Sequence, residues 1–230
     1  MSTSFNINIA IDGPAGAGKS TVAREVARRL NYIYIDTGAM YRAVTLKVLR
    51  SGLNLEQTDE IIQLAADTRI ELQPTEDGQQ VWMDGEDVTA QLRTAQINRA
   101  VSRIAQIEAV RTKLVDLQKK LSEHKGVVMD GRDIGSHVLP DAEVKIYLTA
   151  SVEVRAKRRY QEMKAQDPGN PIEMSKLQEE IQARDEMDRN RQVSPLIVPK
   201  DATVIDSSDM TVQEVVEEIL RICRKRMTGE

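Results

Sequence analysis

One stretch near the start limits the fold more than any other. Residues 13–20 read G-P-A-G-A-G-K-S and fit G-x-x-x-x-G-K-[ST] through Gly13, Gly18, Lys19 and Ser20. The context agrees. An apolar run at 7–11 reads as a buried parallel strand, and Val22, Val26, Ala27 and Leu30 follow at helical spacing. Glycines let the backbone turn tightly and aim its N–H groups at phosphate oxygens, and the new helix adds the positive end of its dipole. Lysine suits the β- and γ-phosphates, and the serine hydroxyl suits Mg²⁺. A chain built on this unit is an α/β protein that binds a nucleoside triphosphate.

The remaining strands extend that plan. Short apolar runs at 32–35, 127–129, 144–148 and 203–206 alternate with helical patterns, which predicts a five-stranded parallel sheet covered on both faces. Segment 67–103 breaks the alternation. Two half-exposed strands flank a turn at Asp77-Gly78, a second turn follows at Asp84-Gly85, and a helical pattern starts at Thr94. This predicts a small antiparallel insertion. The expected organisation is a core at 1–66, 104–150 and 192–230, the insertion at 67–103, and a charged helical hairpin at 151–191. Thr211-x-x-Glu214 reads as a capping box opening a last helix, with Val212, Val215, Val216, Ile219 and Ile222 toward the core.

Composition narrows the function. In 230 residues the formal net charge is −4, which disfavours non-specific nucleic-acid binding. No apolar run is long enough to span a membrane, and the start M-S-T-S lacks a secretory signal, so a soluble cytoplasmic protein is expected. One cysteine, Cys223, reads as core packing, and two separate histidines leave no His/Cys metal cluster.

Ligands of open α/β sheets sit at the carboxyl ends of the strands. Two motifs end there, D-T-G-A-M-Y-R at 36–42 and D-G-R-D-I-G at 130–135. Asp130 is placed to reach Mg²⁺ directly or through water. Taken alone, Arg42 reads as a surface charge, but it joins Arg111, Arg132 and a charged run at 184–191. In that run Arg184, Asp188 and Arg191 fall at i, i+4 and i+7, one helical face. Arginines clustered in an acidic protein favour a basic lid over phosphates rather than a solvated helix. Phosphoryl transfer needs alignment, cations and exclusion of water. The chemistry expected is therefore that of a small-molecule kinase with a phosphorylated acceptor. A switch GTPase would need N-K-x-D and D-x-x-G, and neither string occurs. A nucleic-acid motor is disfavoured by charge and length.

With G-E-D-V at 85–88 and P-D-A at 140–142 added, the set of motifs resembles the bacterial-type cytidylate kinases over nearly the whole chain. The resemblance implies the P-loop nucleoside monophosphate kinase fold, with an acceptor-binding insertion and a lid. It implies ATP bound by Gly13, Pro14, Ala15, Gly16, Ala17, Gly18, Lys19, Ser20 and Thr21, with Mg²⁺. It implies the CMP phosphate held by Arg42, Arg132 and Arg191, and the cytosine edge read by Ser102, Arg111 and Asp133. Arg184 and Asp188 would hold the sugar, of CMP or dCMP, and Thr37 and Tyr41 would line the pocket. Arg155 and Arg159 match lid arginines by position alone, as stabilisers of the transferred phosphoryl. A monomer is implied, with no nucleic-acid or membrane partner.

Overall fold

A computed structural model describes residues 6–75, 78–166, 169 and 173–228. The first apolar run forms β1 (Asn8–Asp12), buried at every position, as a central parallel strand must be. The phosphate loop follows it into α1 (Lys19–Leu30). Next come β2 (Ile33–Asp36) and α2 (Thr37–Arg50), then α3 (Thr58–Asp67). The insertion carries β3 (Ile70–Thr75), β4 (Gly78–Met83), β5 (Glu86–Asp87) and α4 (Ala95–Ile104). The chain returns to the core through α5 (Glu108–Leu121), β6 (Val127–Gly131) and β7 (Val144–Thr149). A helical hairpin follows, α6 (Val152–Gln166) and α7 (Met174–Arg189), and β8 (Thr203–Asp206) and α8 (Val212–Thr228) close the fold.

The main sheet is five-stranded and parallel, in the order β2-β6-β1-β7-β8. The order reverses at β1, so the phosphate loop leaves the sheet where crevices open in such folds. One face packs Ile9, Ile11 and Ile146 against Val22 and Val26 of α1 and Val216 and Ile219 of α8. The opposite face packs Ala10, Ile35 and Met129 against Ile134 and Val138. The insertion's antiparallel sheet, β3-β4-β5, has no separate core. Val81 and Met83 pack with Met40, Val44 and Val48 of α2, Ile61 of α3 and Leu114 of α5. The hairpin has its own small cluster of Ala156, Leu177 and Ile181.

Several sequence expectations need correction. Helix α3 was not anticipated. Its pattern is short, and its end is held from outside, where Lys113 of α5 donates to the carbonyls of Ala65, Ala66 and Thr68. Helix α2 starts at Thr37, because the Asp36 carboxylate accepts the Ala39 N–H at 3.0 Å as an N-cap. Helix α7 stops at Arg189, so Arg191 is not on its face. Val212 points to solvent, 48% exposed, since it occupies the first turn outside the buried stripe. The capping box before it forms as expected, with Thr211 and Glu214 bonding reciprocally. Asp77 of the expected turn, and Asp167, Pro168, Asn170 and Pro171 of the hairpin loop, lie outside the described residues. Cys223 is fully buried, and burial pushes its thiol up to about 12.

Candidate active site

The donor side is built from backbone. A Cβ at Gly13 would collide with the Leu148 carbonyl of β7, so only glycine allows this approach. Gly16 has φ +77 and lies against Arg155, 3.2 Å from that residue's Cβ to the position its own would take. Helix α1 begins without a side-chain cap and without an acidic residue in its first turn. Its first N–H groups therefore face the loop with no side chain to satisfy them, which is an anion site. Lys19 is buried and curls back, its Nζ donating to the Pro14 carbonyl at 2.8 Å. Burial, then Arg132 nearby, lowers its pKa to about 7. A phosphate against Nζ would reverse that shift.

Asp130, buried at the end of β6, accepts the Ser20 hydroxyl at 3.0 Å and the Tyr34 hydroxyl at 2.9 Å. Burial and the neighbouring Asp36 raise its carboxyl to about 6. A hydroxyl and a carboxylate held together suit a hard divalent cation that brings phosphate oxygens and water as its other ligands. Among the described residues no group of three or more His, Cys, Asp or Glu could hold a metal alone. Asp12, at the end of β1, accepts the N–H groups of Ile134 and Gly135 at 2.8 and 2.7 Å and so fixes the turn after Asp133. Burial raises Asp12 to about 6 as well.

The acceptor side is built from charge. Arg42 of α2, Arg132 after β6 and Arg184 of α7 feel one another's charge, and Arg159 of α6 adds to Arg42 and Arg184. Burial, before those neighbours, lowers the pKa of Arg42 and takes Arg184 down to about 9. Nη1 of Arg42, Nε of Arg184 and Nε of Arg191 are buried with no hydrogen-bond partner. Among the described residues Asp188 is the carboxylate that pairs with the group, while Asp36 acts on Arg42 and Asp130 and Asp185 on Arg132. Asp188 accepts Arg132 Nε at 2.8 Å, and Arg191 Nη1 lies 4.0 Å away. Burial works to raise the Asp188 carboxyl, but Arg132, Arg184 and Arg191 outweigh it and hold it low. Such a group of cations is costly without an anion, and it lies at the edge of the sheet beside Lys19, whose pKa Arg132 and Arg184 help to lower.

Next to this group lies a smaller polar pocket. Arg111 of α5 donates to Asp133 at 2.7 Å, and both are buried. Arg111 stacks over Tyr41 at 5.3 Å, and the Tyr41 hydroxyl has no partner. Burial raises that hydroxyl's pKa. Arg191 interacts electrostatically with Arg111, Asp133 and Tyr41 and so joins the pocket to the arginine cluster. Ser102 is buried on α4. Thr37 is a stitch, donating to the Asp130 carbonyl at 2.8 Å between the ends of β2 and β6.

The two lid arginines differ. Among the described residues Arg159 pairs with Glu162, three residues on and 3.1 Å away. Arg155 is buried and bonded to the Ala150 and Ala15 carbonyls and to Asp185, whereas the resemblance implied a lid arginine that stabilises the transferred phosphoryl. Asp12, Tyr34 and Asp185 are site neighbours that sequence reasoning did not select. A carboxylate closing an otherwise apolar strand was the available signal for Asp12. A concavity of about 1560 Å³ lies between α3, α5 and residues 190–192, away from the phosphate loop, and reaches the site at Arg191. Among the described residues no helix is long and apolar enough to cross a membrane.

The chain is similar to known proteins in fold and in sequence. The fold is similar to that of a gluconokinase from Sinorhizobium meliloti, with a TM-score of 0.51 and 15% identity over 98% of this chain and 95% of that one. Among sequences, the cytidylate kinase of Caldanaerobacter subterraneus subsp. tengcongensis is 50% identical over 226 residues, 98% of each chain. That of Geobacillus kaustophilus is 51% identical over 221 residues, 96% of this chain and 98% of its own. The family model described as cytidylate kinase matches residues 9–225, a span that takes in the phosphate loop, the arginine cluster and the Arg111–Asp133 pocket together, and the chain belongs to the cytidylate kinase family.

Proposed function

We propose that the chain transfers the γ-phosphoryl group of ATP to CMP or dCMP, giving ADP and CDP or dCDP, in pyrimidine nucleotide metabolism. The observation that carries the reading is the group of buried arginine N–H groups left without partners beside the phosphate loop. They ask for a second phosphate, distinct from those the loop receives.

ATP phosphates lie along residues 13–21, on the loop's N–H groups and the start of α1. Lys19 leaves the Pro14 carbonyl and takes the β- and γ-oxygens. Ser20, with Asp130 through water, would hold Mg²⁺, which would supply positive charge against the charge developing on the phosphates. The CMP phosphate lies among Arg42, Arg132 and Arg191, whose planar forks suit it. Arg184 and Asp188 take the sugar. Ser102, Arg111 and Asp133 read the base, with the Asp133 carboxylate accepting from the exocyclic amine of cytosine. Arg111 stays on Asp133 and holds its carboxylate in place. An oxygen of the CMP phosphate then attacks the γ-phosphorus in line, the bond to the β-phosphate oxygen breaks, and ADP leaves with that electron pair. Arg132 and Arg159 balance charge on the moving group. Closure of the α6–α7 hairpin excludes water. One chain supplies both halves of the site, so a monomer suffices. Nucleotide substrates fit work in the cytoplasm, with no nucleic acid or membrane as partner.

The test is ADP release from Mg-ATP with CMP, dCMP, UMP, AMP, GMP or no acceptor. Strong turnover with CMP and dCMP alone is expected. Turnover with a purine nucleotide instead would overturn the base-reading roles. Turnover without acceptor would return the chain to the hydrolases.

A further inference from the structure

We infer that Asp185 is a positioning residue that ties the acceptor-gripping helix to the phosphate loop through Arg155; this rests on the kinase reading above. The guanidinium of Arg155 faces three ways. Nε donates to the Ala150 carbonyl at 2.9 Å, at the root of α6. Nη1 donates to the Ala15 carbonyl at 3.0 Å, inside the phosphate loop. Nη2 meets Asp185 Oδ2 at 2.7 Å, on α7. Arg155 and Asp185 are each 3% exposed. A planar fork held at three points has one orientation, so Asp185 decides where Nη1 points.

The two ends of this link are the two halves of the reaction. Ala15 adjoins Gly16, which packs on the Arg155 backbone and leads to Lys19. Asp185 follows Arg184 and lies one turn before Asp188, both in the acceptor cluster, and its charge also acts on Arg132. Asp185 Oδ1 is buried without a partner. A buried carboxylate kept with one oxygen unsatisfied is poor value for stability alone. Its geometric service is to make α7 and the phosphate loop shift together. Arg158 repeats the attachment more loosely, 3.3 Å from the Ala17 carbonyl, but its other partner is Ser207, outside α7.

The test is a double-variant cycle on Asp185→Asn and Arg155→Lys in the full chain, with Mg-ATP and CMP, at a temperature where each variant is folded by circular dichroism. Each single change should lower kcat by ~10-fold or more through a misplaced loop, with KM for CMP within ~3-fold. The double variant should lose no more than the worse single, because both act through one link. Losses that multiply, or a lowered melting temperature with kcat intact, would overturn the inference. If Asp185→Asn does not fold, Asp185→Glu replaces it in the same cycle, and full kcat in both singles overturns the link. Wild-type chain that shows no CMP-dependent ADP release would instead refute the kinase reading.

Discussion

The donor and acceptor halves of the site are finished to different degrees. On the donor side each charged group has a resting partner. Lys19 lies on the Pro14 carbonyl, and Ser20 lies on Asp130. On the acceptor side Arg42, Arg184 and Arg191 each bury an N–H with nothing to receive it. The donor loop is preorganised by backbone that glycine permits, at little cost. The acceptor cluster brings Arg42, Arg132 and Arg184 within reach of one another's charge, which a bound anion would relieve. On the proposed reading the difference suits a kinase that must not hydrolyse ATP, because the acceptor arginines would complete their bonding with a phosphate acceptor present.

The largest effect expected comes from the donor half. Lys19→Ala removes the one cation inside the loop and should lower kcat by ~10²–10³-fold or more. The melting temperature should not fall, since burial already opposes the charge of Lys19. Steady-state kinetics with a melting curve checks both parts. A near-normal kcat would end the phosphate-loop assignment.

The acceptor half should show the opposite balance between stability and function. Arg42→Met and Arg184→Met should each raise KM for CMP by ~10-fold or more, the worth of a charge-assisted hydrogen bond at about 1.5–3 kcal/mol. Both variants should also melt higher, by ~2–4 °C for ~1 kcal/mol, since a poorly paired cation leaves a buried setting. That figure is modest because Arg184 is only partly buried by its neighbours. A lower melting temperature would mean that the arginines stabilise the free protein, and the contrast between the halves would fail.

Base reading should respond more weakly. Asp133→Asn keeps the shape but exchanges an acceptor oxygen for a donor and weakens the pair with Arg111. CMP should lose ~1–3 kcal/mol of kcat/KM relative to UMP. Equal losses on both acceptors would remove Asp133 from cytosine recognition.

These halves were not equally legible in the sequence. The loop, its strand and its helix are local, so a short string fixes their order and chemistry. The parallel strands were legible because burial on both faces gives short unbroken apolar runs, as at 127–129. Helix α3 was not, because its cap is Lys113, 45 residues beyond Thr68. The acceptor cluster was legible as residue types but not as partners. Spacing put Arg191 on the face of Arg184 and Asp188, whereas the helix ends at Arg189 and Arg191 returns through a turn, its Nη2 donating to the Ser194 carbonyl at 2.7 Å. Arg155 shows the same limit. A charged helix announces arginines, but two long-range partners, the Ala15 carbonyl and Asp185, made this one a strut. Arg159, among the described residues, pairs with Glu162 three residues on.

The smallest expected effect is a proton, and it tests the donor half at rest. Lys19 falls from 10.5 to about 7 on folding. Between those values the unfolded chain binds more protons, so the stability of the free protein should rise with pH from about 7 toward 10.5. Asp12 and Asp130 rise from 3.8 to about 6, so there the folded chain binds more protons and stability should fall as pH rises through that window. ATP phosphates pair with Lys19 and should restore its charge. At pH ~8 the binding of a non-hydrolysable Mg-ATP analogue should therefore take up about one proton, read as a difference in binding heat between two buffers of unlike ionisation enthalpy. Lys19→Ala should abolish the uptake. Equal heats in both buffers with the wild-type chain would mean that Lys19 is charged before ATP arrives. Lys19 would then carry a buried charge at rest as the acceptor arginines do, and the two halves of the site would differ in hydrogen-bond partners alone.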